Sequence, residues 1–175
     1  MTVTKTENGK RTHAISLQYV LEAAVIGGIY SALTLLLAPI SYGLVQVRIS
    51  EALTLLPRFS RASIPGLFIG CFLANLLGTG NMMDIVAGSL ATLVAAFCSR
   101  KFKDKPWLVP LPPVLINAVV IGLVLFYGYG VAPEAAGKFA LLADMAFVGI
   151  GQLVACYVLG MPLMKLLERH KQIFA

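Results

Sequence analysis

The chain has 175 residues, 58% of them hydrophobic and only 13% charged, whereas soluble domains are closer to half apolar and a quarter charged. This balance excludes an ordinary soluble domain. The net charge of +6 would suggest a nucleic-acid partner in a soluble protein, but here the distribution of the cations between apolar runs is explained by membrane topology, so no nucleic acid is expected.

Apolar runs of about 17 to 25 residues recur along the chain, each able to cross the roughly 30 Å hydrocarbon core as a helix, and leave no room for a soluble domain. The expectation is an all-α integral membrane protein forming a single transmembrane domain. Residues 1–14 are polar, with Lys5, Lys10 and Arg11, and predict a short cytosolic tail. No small-residue cleavage site follows the first span, so no secretory signal peptide is expected.

Helix 1 is predicted over 16–38, ended by Pro39, and residues 39–49 are expected to be an extended loop because they combine Pro39, Gly43 and β-branched residues. A short helix 2 is predicted over 50–58, and Arg58 and Arg61 flank a break before helix 3 at 63–77, which stops at Leu77-Gly78-Thr79-Gly80. Helix 4 is expected at 82–99, closed by Arg100, Lys101, Lys103 and Lys105. Helix 5 is expected at 108–128 despite Pro110, Pro112 and Pro113, and helix 6 from 134 or 138 to 168, with a kink at Pro162 and a short tail at 169–175.

Six crossings with both termini cytoplasmic place Lys5, Lys10, Arg11, Arg58, Arg61, Arg100, Lys101, Lys103, Lys105, Lys165, Arg169 and Lys171 inside, leaving Arg48 and Lys138 outside among the 14 basic residues. Short loops obey the positive-inside rule in this arrangement, and a five-helix alternative scrambles it. With Arg58 at the inner surface, a helix of eight or nine residues does not lift Arg48 and Glu51 to the outer surface. Both are expected within the membrane thickness. Non-helical backbone at that depth must be covered by protein or line a wet cavity, so the 39–49 loop is expected to wall a pocket open to the outside.

Ionised groups near the bilayer centre are costly, which makes Arg48, Glu51, Asn75, Asp84, Asn117 and Asp144, with Gln46 and Asn81 nearby, the candidates for binding a polar solute. Each has a plainer alternative. Glu51 follows Ser50 at a helix start, where an acid gains from the helix dipole, although its depth is poorly explained by capping. Arg48 could pair with Glu51 or snorkel outward, Asn81 and Asp84 have the spacing of a capping box, and Asn75 and Asn117 could hold helices together. Asp144 could meet a ligand or Arg48, and Glu134 after Pro133 is expected only to start a helix. Helix 1 also carries Ala24, Gly28 and Ala32 at four-residue spacing, a small-residue stripe suited to a partner helix or to internal packing.

Other chemistries lack their residues. There is no P-loop, H-E-x-x-H or G-x-S-x-G, and His13 and His170 lie in the expected tails. Cys71, Cys98 and Cys156 form no CxxC and are expected to be packing residues. Tyr127-Gly128-Tyr129-Gly130 lacks the Thr-Val that precedes a potassium filter. A catalytic site, a metal and a cofactor are therefore not expected. An enzyme using Glu51 and Asp84 as acid and base would lack a nucleophile. A stand-alone proton-coupled secondary transporter working through Glu51 or Asp144 is the main alternative to a solute-binding subunit, although no inverted repeat is evident.

The segment Val45-Gln46-Val47-Arg48-Ile49-Ser50-Glu51-Ala52-Leu53-Thr54-Leu55-Leu56-Pro57, continued by Ile64-Pro65-Gly66-Leu67-Phe68-Ile69-Gly70-Cys71-Phe72-Leu73-Ala74-Asn75-Leu76-Leu77-Gly78 and Ala87-Gly88-Ser89-Leu90-Ala91-Thr92-Leu93, resembles the QueT family over about residues 17–168. That family is regarded as substrate-binding S components of energy-coupling factor (ECF) transporters for queuosine precursors. The resemblance implies a six-helix bundle that captures a 7-deazaguanine base from outside. It also implies partners in the lipid bilayer and beyond it: a transmembrane T component and two cytosolic P-loop ATPases. Ala24, Gly28 and Ala32 resemble the stripe by which such subunits meet the T component, with Gly28 in place of the more usual Ala.

Overall fold

In the computed structural model, the described residues are 3–5, 11–13, 16–42, 46–130 and 139–169. The expected positions of Gly43, Glu134 and Lys138 lie outside them. The N-terminal stretch, expected as a plain tail, carries two short antiparallel strands, β1 (Val3–Lys5) and β2 (Arg11–His13), with Val3 opposite His13. Everything else with regular structure is helical.

Helix α1 (Leu17–Leu36) begins where the Ser16 hydroxyl accepts the Tyr19 backbone N–H at 3.2 Å, filling one of the donors a helix start leaves open. The chain breaks at Leu37 and resumes as a single turn, α2 (Ala38–Ser41), with Pro39 in its first turn, where a missing N–H does no harm. Part of the expected 39–49 loop is therefore helical.

The expected helix 2 is a ten-residue 3₁₀ helix, Ile49–Arg58, not an α-helix. A 3₁₀ helix rises about 2.0 Å per residue, so Glu51 stands about 14 Å from Arg58 along it, roughly half the hydrocarbon thickness. Such runs rarely exceed three or four residues. This one is buried on nearly every side, including Ser50, Glu51, Ala52, Thr54, Leu55, Leu56 and Pro57, so surrounding contacts replace the poorer hydrogen-bond geometry.

Helix α3 (Ser63–Gly78) lies against α1 with almost no side chain between them: a methyl on Gly66 would meet the Ala23 carbonyl oxygen at 2.6 Å, and one on Gly70 the Gly27 carbonyl at 2.7 Å. The α3 terminus is closed by Gly80, whose φ of +63° suits glycine and whose N–H donates to the Asn75 carbonyl at 2.9 Å. Asn81 then starts the next helix by accepting the Met83 N–H at 2.8 Å. That helix passes through a π-turn at Asp84–Gly88 into α4 (Ser89–Lys101).

A 3₁₀ turn at Pro106–Leu108 leads to α5 (Leu111–Val124), whose prolines gather at the start, and a π-segment at Leu125–Tyr129 follows, ended by Gly130. Helix α6 (Ala140–Leu153) widens into π-turns at Val154–Gly160 before α7 (Met161–Arg169). The wide turns sit directly before Pro162, which cannot donate to residue 158 and crowds its carbonyl. Against the six expected crossings, three helices among the described residues are long and apolar enough by themselves, Leu17–Leu36, Pro106–Tyr129 and Ala140–Arg169; Ser63–Gly78 is apolar but shorter.

The protein is inside out relative to a soluble domain. Leu21, Val25, Ile29, Phe97, Leu115, Val119 and Ile150 are exposed, whereas Arg48, Glu51, Asn75, Asp84, Asn117, Asp144 and Gln152 are buried. An apolar exterior around a polar interior is stable against lipid, not against water. The 3₁₀ helix separates two apolar clusters. One contains Tyr30, Leu56, Leu67 and Cys71, and the other Leu55, Val114, Cys156 and Met164.

Candidate functional site

The 3₁₀ helix sets Glu51 at the middle of the bundle, 1% exposed, and three helices supply its surroundings. The Tyr30 hydroxyl of α1 donates to Oε1 at 2.5 Å, and Nδ2 of Asn117 on α5 donates to Oε2 at 3.2 Å. The same Asn117 amide reaches Oε1 of Gln152 on α6 at 3.2 Å. A carboxylate has roughly four lone-pair sites, so two of them remain for a guest. Around the helix start, Thr34 Oγ1 meets Ser50 Oγ at 2.6 Å, and Thr54 Oγ1 donates to the Glu51 carbonyl at 2.6 Å. These bonds hold the carboxylate at depth by neutral donors.

Arg48 and Glu51 attract each other across the core without forming an ion pair. Arg48 Nε donates to the Ser41 carbonyl at 3.2 Å, and its guanidinium lies 5.1 Å from the centroid of the Tyr42 ring, an arrangement worth roughly 0.5–2 kcal/mol. No ion pair joins Arg48 to an acid among the described residues. Snorkelling is also ruled out, because Arg48 is only 3% exposed. Just before it, Gln46 is buried with a φ of +45° and its carbonyl accepts the Arg48 N–H at 2.9 Å. A non-glycine residue held in that region costs about 1–3 kcal/mol and must be fixed by its surroundings. The turn aims Arg48 inward.

A second network runs along α3 and into the following helix. Asn75 Nδ2 donates to the Asp84 carbonyl at 2.8 Å and lies 3.5 Å from Cys71 Sγ, which also receives the Thr92 hydroxyl at 3.3 Å. The Tyr129 hydroxyl donates to Asp84 Oδ2 at 2.5 Å. Asp84 thus answers Tyr129 across the bundle. It does not complete the capping box that its spacing from Asn81 suggested, although Asn81 does cap. Tyr42, which carries Arg48 on its ring, donates to the Ala74 carbonyl at 2.7 Å, so the arginine is tied to α3 next to Asn75.

Several polar atoms here are buried with no hydrogen-bond partner: Arg48 Nη2, Asn75 Oδ1, Asp84 Oδ1, and both carboxylate oxygens of Asp144. Leaving one such group unmade costs about 1–3 kcal/mol, more when it is charged. All four residues are among the six singled out from the sequence. The remaining two, Glu51 and Asn117, bond each other. Asp144 shares a stripe of α6 with Val148 and Gln152 at four-residue spacing, and all three are buried. No described contact joins Asp144 to Arg48.

Sequence reasoning missed Tyr30, Tyr42, Tyr129 and Gln152. The available signal was the same as for the asparagines, a polar tip inside an apolar helix, but tyrosine also fits an apolar wall or a membrane interface and so does not stand out. Among the described residues no group of His, Cys, Asp and Glu is arranged to hold a metal ion.

The small residues of α1 divide between two faces. Gly27 faces α3, whereas Ala24, Gly28 and Ala32 are exposed, and a methyl on Gly28 would meet nothing within 4 Å.

The chain is 35% identical over 77 residues to the queuosine precursor transporter QueT of Lactococcus lactis subsp. cremoris (strain MG1363), an alignment covering 43% of this chain and 45% of that protein. No solved structure matches. The profile of the family described as QueT transporter matches residues 20–169, and the chain therefore belongs to the QueT transporter family.

Proposed function

We propose that this protein is the substrate-binding S component of an ECF-type importer and captures a queuosine precursor, a 7-deazaguanine base, from the extracellular side. The observation that carries the reading is the set of partnerless buried polar atoms on Arg48, Asn75, Asp84 and Asp144. Protein interiors rarely tolerate these, and a polar guest would complete them. The similarity to the queuosine precursor transporter of Lactococcus lactis supports the substrate class.

A guanine-like edge offers a ring N–H and an amino group, which the two open lone-pair sites of Glu51 suit, and a carbonyl and ring nitrogen, which suit Arg48 or Asn75. Asn117 orients Glu51, and the Tyr42 ring offers a face beside Arg48. If the precursor bears an aminomethyl cation, Asp144 or Asp84 neutralises it.

Six crossings with cytoplasmic termini fit the contacts at one end of the bundle. There Arg58 pairs with Glu168 at 2.6 Å, Arg100 donates to the Pro57 carbonyl at 2.6 Å, and Tyr19 reaches the Arg61 carbonyl at 3.4 Å. The basic loops thus share one end, as the positive-inside rule requires of a cytosolic face of a bacterial cell membrane. The exposed Ala24, Gly28 and Ala32 stripe is the surface offered to a transmembrane T component, which would work with two cytosolic P-loop ATPases.

The test has two arms. Purified protein is expected to bind a 7-deazaguanine base without turnover, and to be retained by a T component and ATPase pair in wild type but not as Gly28→Leu. Uptake by the isolated chain that survives ATP depletion would overturn the reading in favour of a stand-alone proton-coupled transporter.

A further inference from the structure

At the basic end of the bundle an open groove of about 570 Å³ runs between α3 and α4. Phe68, Leu93 and Phe97 contribute to its apolar walls, while Arg61, Arg100 and Tyr19 stand at its edge. The two arginines repel each other. Neither is paired with a carboxylate among the described residues. The Arg100 guanidinium is anchored by its bond to the Pro57 carbonyl, and the Arg61 backbone by the Tyr19 hydroxyl, so the fold brings both arginines to the mouth of an apolar slot.

We infer that this groove is a binding site for an anionic glycerophospholipid, with the phosphate between Arg61 and Arg100 and one acyl chain along the slot. Guanidinium groups match phosphate oxygens with paired N–H donors, and an anion between them turns repulsion into attraction. A tyrosine, apolar in body and polar at the tip, belongs at the level where headgroup meets chain. A free phosphate would leave the slot unfilled, whereas a zwitterionic lipid would bring its own cation to the two arginines. The site lies at the opposite end of the 3₁₀ helix from Glu51 and does not depend on what the core binds.

Native mass spectrometry of the purified full-length chain, titrated with phosphatidylglycerol or with phosphatidylcholine of the same acyl chains, tests this. Each cation near a headgroup is worth about fivefold, so phosphatidylglycerol is expected to bind at least about tenfold more tightly, and Arg61→Gln to reduce that preference about fivefold. Arg100→Gln also removes a bond to Pro57, so the exposed Arg61 decides the matter if that variant does not fold. Glycerol phosphate at millimolar concentration is expected not to displace the lipid. Equal binding of the two lipids, an unchanged preference in Arg61→Gln, or displacement by glycerol phosphate would each overturn the assignment.

Discussion

Replacing Gly70 by alanine tests how the α1–α3 contact supports the site. The added methyl would lie 2.7 Å from the Gly27 carbonyl oxygen, 2.9 Å from Tyr30 Cβ and 3.0 Å from Gly27 Cα. Two of these three atoms are backbone, which cannot swing aside, so the helices must separate. Overpacking of this kind costs about 1–3 kcal/mol, whereas glycine to alanine inside a helix returns about 0.8–1.0 kcal/mol. The net expectation for Gly70→Ala is a loss of up to about 2 kcal/mol. Gly28→Ala, with nothing within 4 Å of the new methyl, is expected to gain the propensity term alone. The two variants differ by one methyl on facing helices, and thermal unfolding of both in one detergent isolates the contact. Because Tyr30 is pushed in Gly70→Ala and also donates to Glu51, ligand affinity is expected to fall in that variant and not in Gly28→Ala. A Gly70→Ala protein that gains as much stability as Gly28→Ala, or a Gly28→Ala protein less stable than wild type, would refute the packing argument.

Tyr30→Phe removes one donor from the buried Glu51 carboxylate and is expected to lower stability by about 1.5–3 kcal/mol, the range for hydrogen bonds to charged groups, as read by thermal unfolding without ligand. Asp144→Asn removes a buried charge with two partnerless oxygens. It is expected to stabilise the ligand-free protein by less than the about 2.5–3.5 kcal/mol that a charge costs at a helix centre, because Asp144 lies in the second turn of α6. In competition binding, the same change is expected to abolish any preference for an aminomethyl-bearing base over its uncharged analogue.

Composition alone made the membrane class legible, because an apolar exterior needs apolar residues throughout. The burial of Arg48 and Glu51 was legible too, since charge in so apolar a chain has to be kept from lipid. The type of helix that carries Glu51 was not. Ile49–Arg58 is held as 3₁₀ by burial on almost all sides, a tertiary effect that local propensity does not carry. Which face of α1 packs inward was equally hidden. Gly27 and Gly28 are neighbours, and only the glycines of α3 decide which one is buried. For the site, charged and amide residues could be found by the cost of placing them in lipid, but their pairing could not. An ion pair with Glu51 was one of two plain alternatives for Arg48, yet its guanidinium rests on Tyr42, and Glu51 is held by Tyr30 and Asn117. An aromatic residue in an apolar helix looks the same whether its hydroxyl is idle or holds a carboxylate.

The most direct test is a calorimetric titration of a 7-deazaguanine base into wild-type protein and into Glu51→Gln. Glutamine keeps the size and can still bond Asn117, so the fold is retained while charge-assisted acceptance of the guest is lost. One such bond weakens to a neutral one and the other is lost where the amide NH2 meets a guest N–H, together at least about 2–3 kcal/mol, or roughly a thirty- to hundred-and-fifty-fold rise in Kd. An affinity within about twofold of wild type, less than 0.5 kcal/mol, would contradict a carboxylate at the centre of capture.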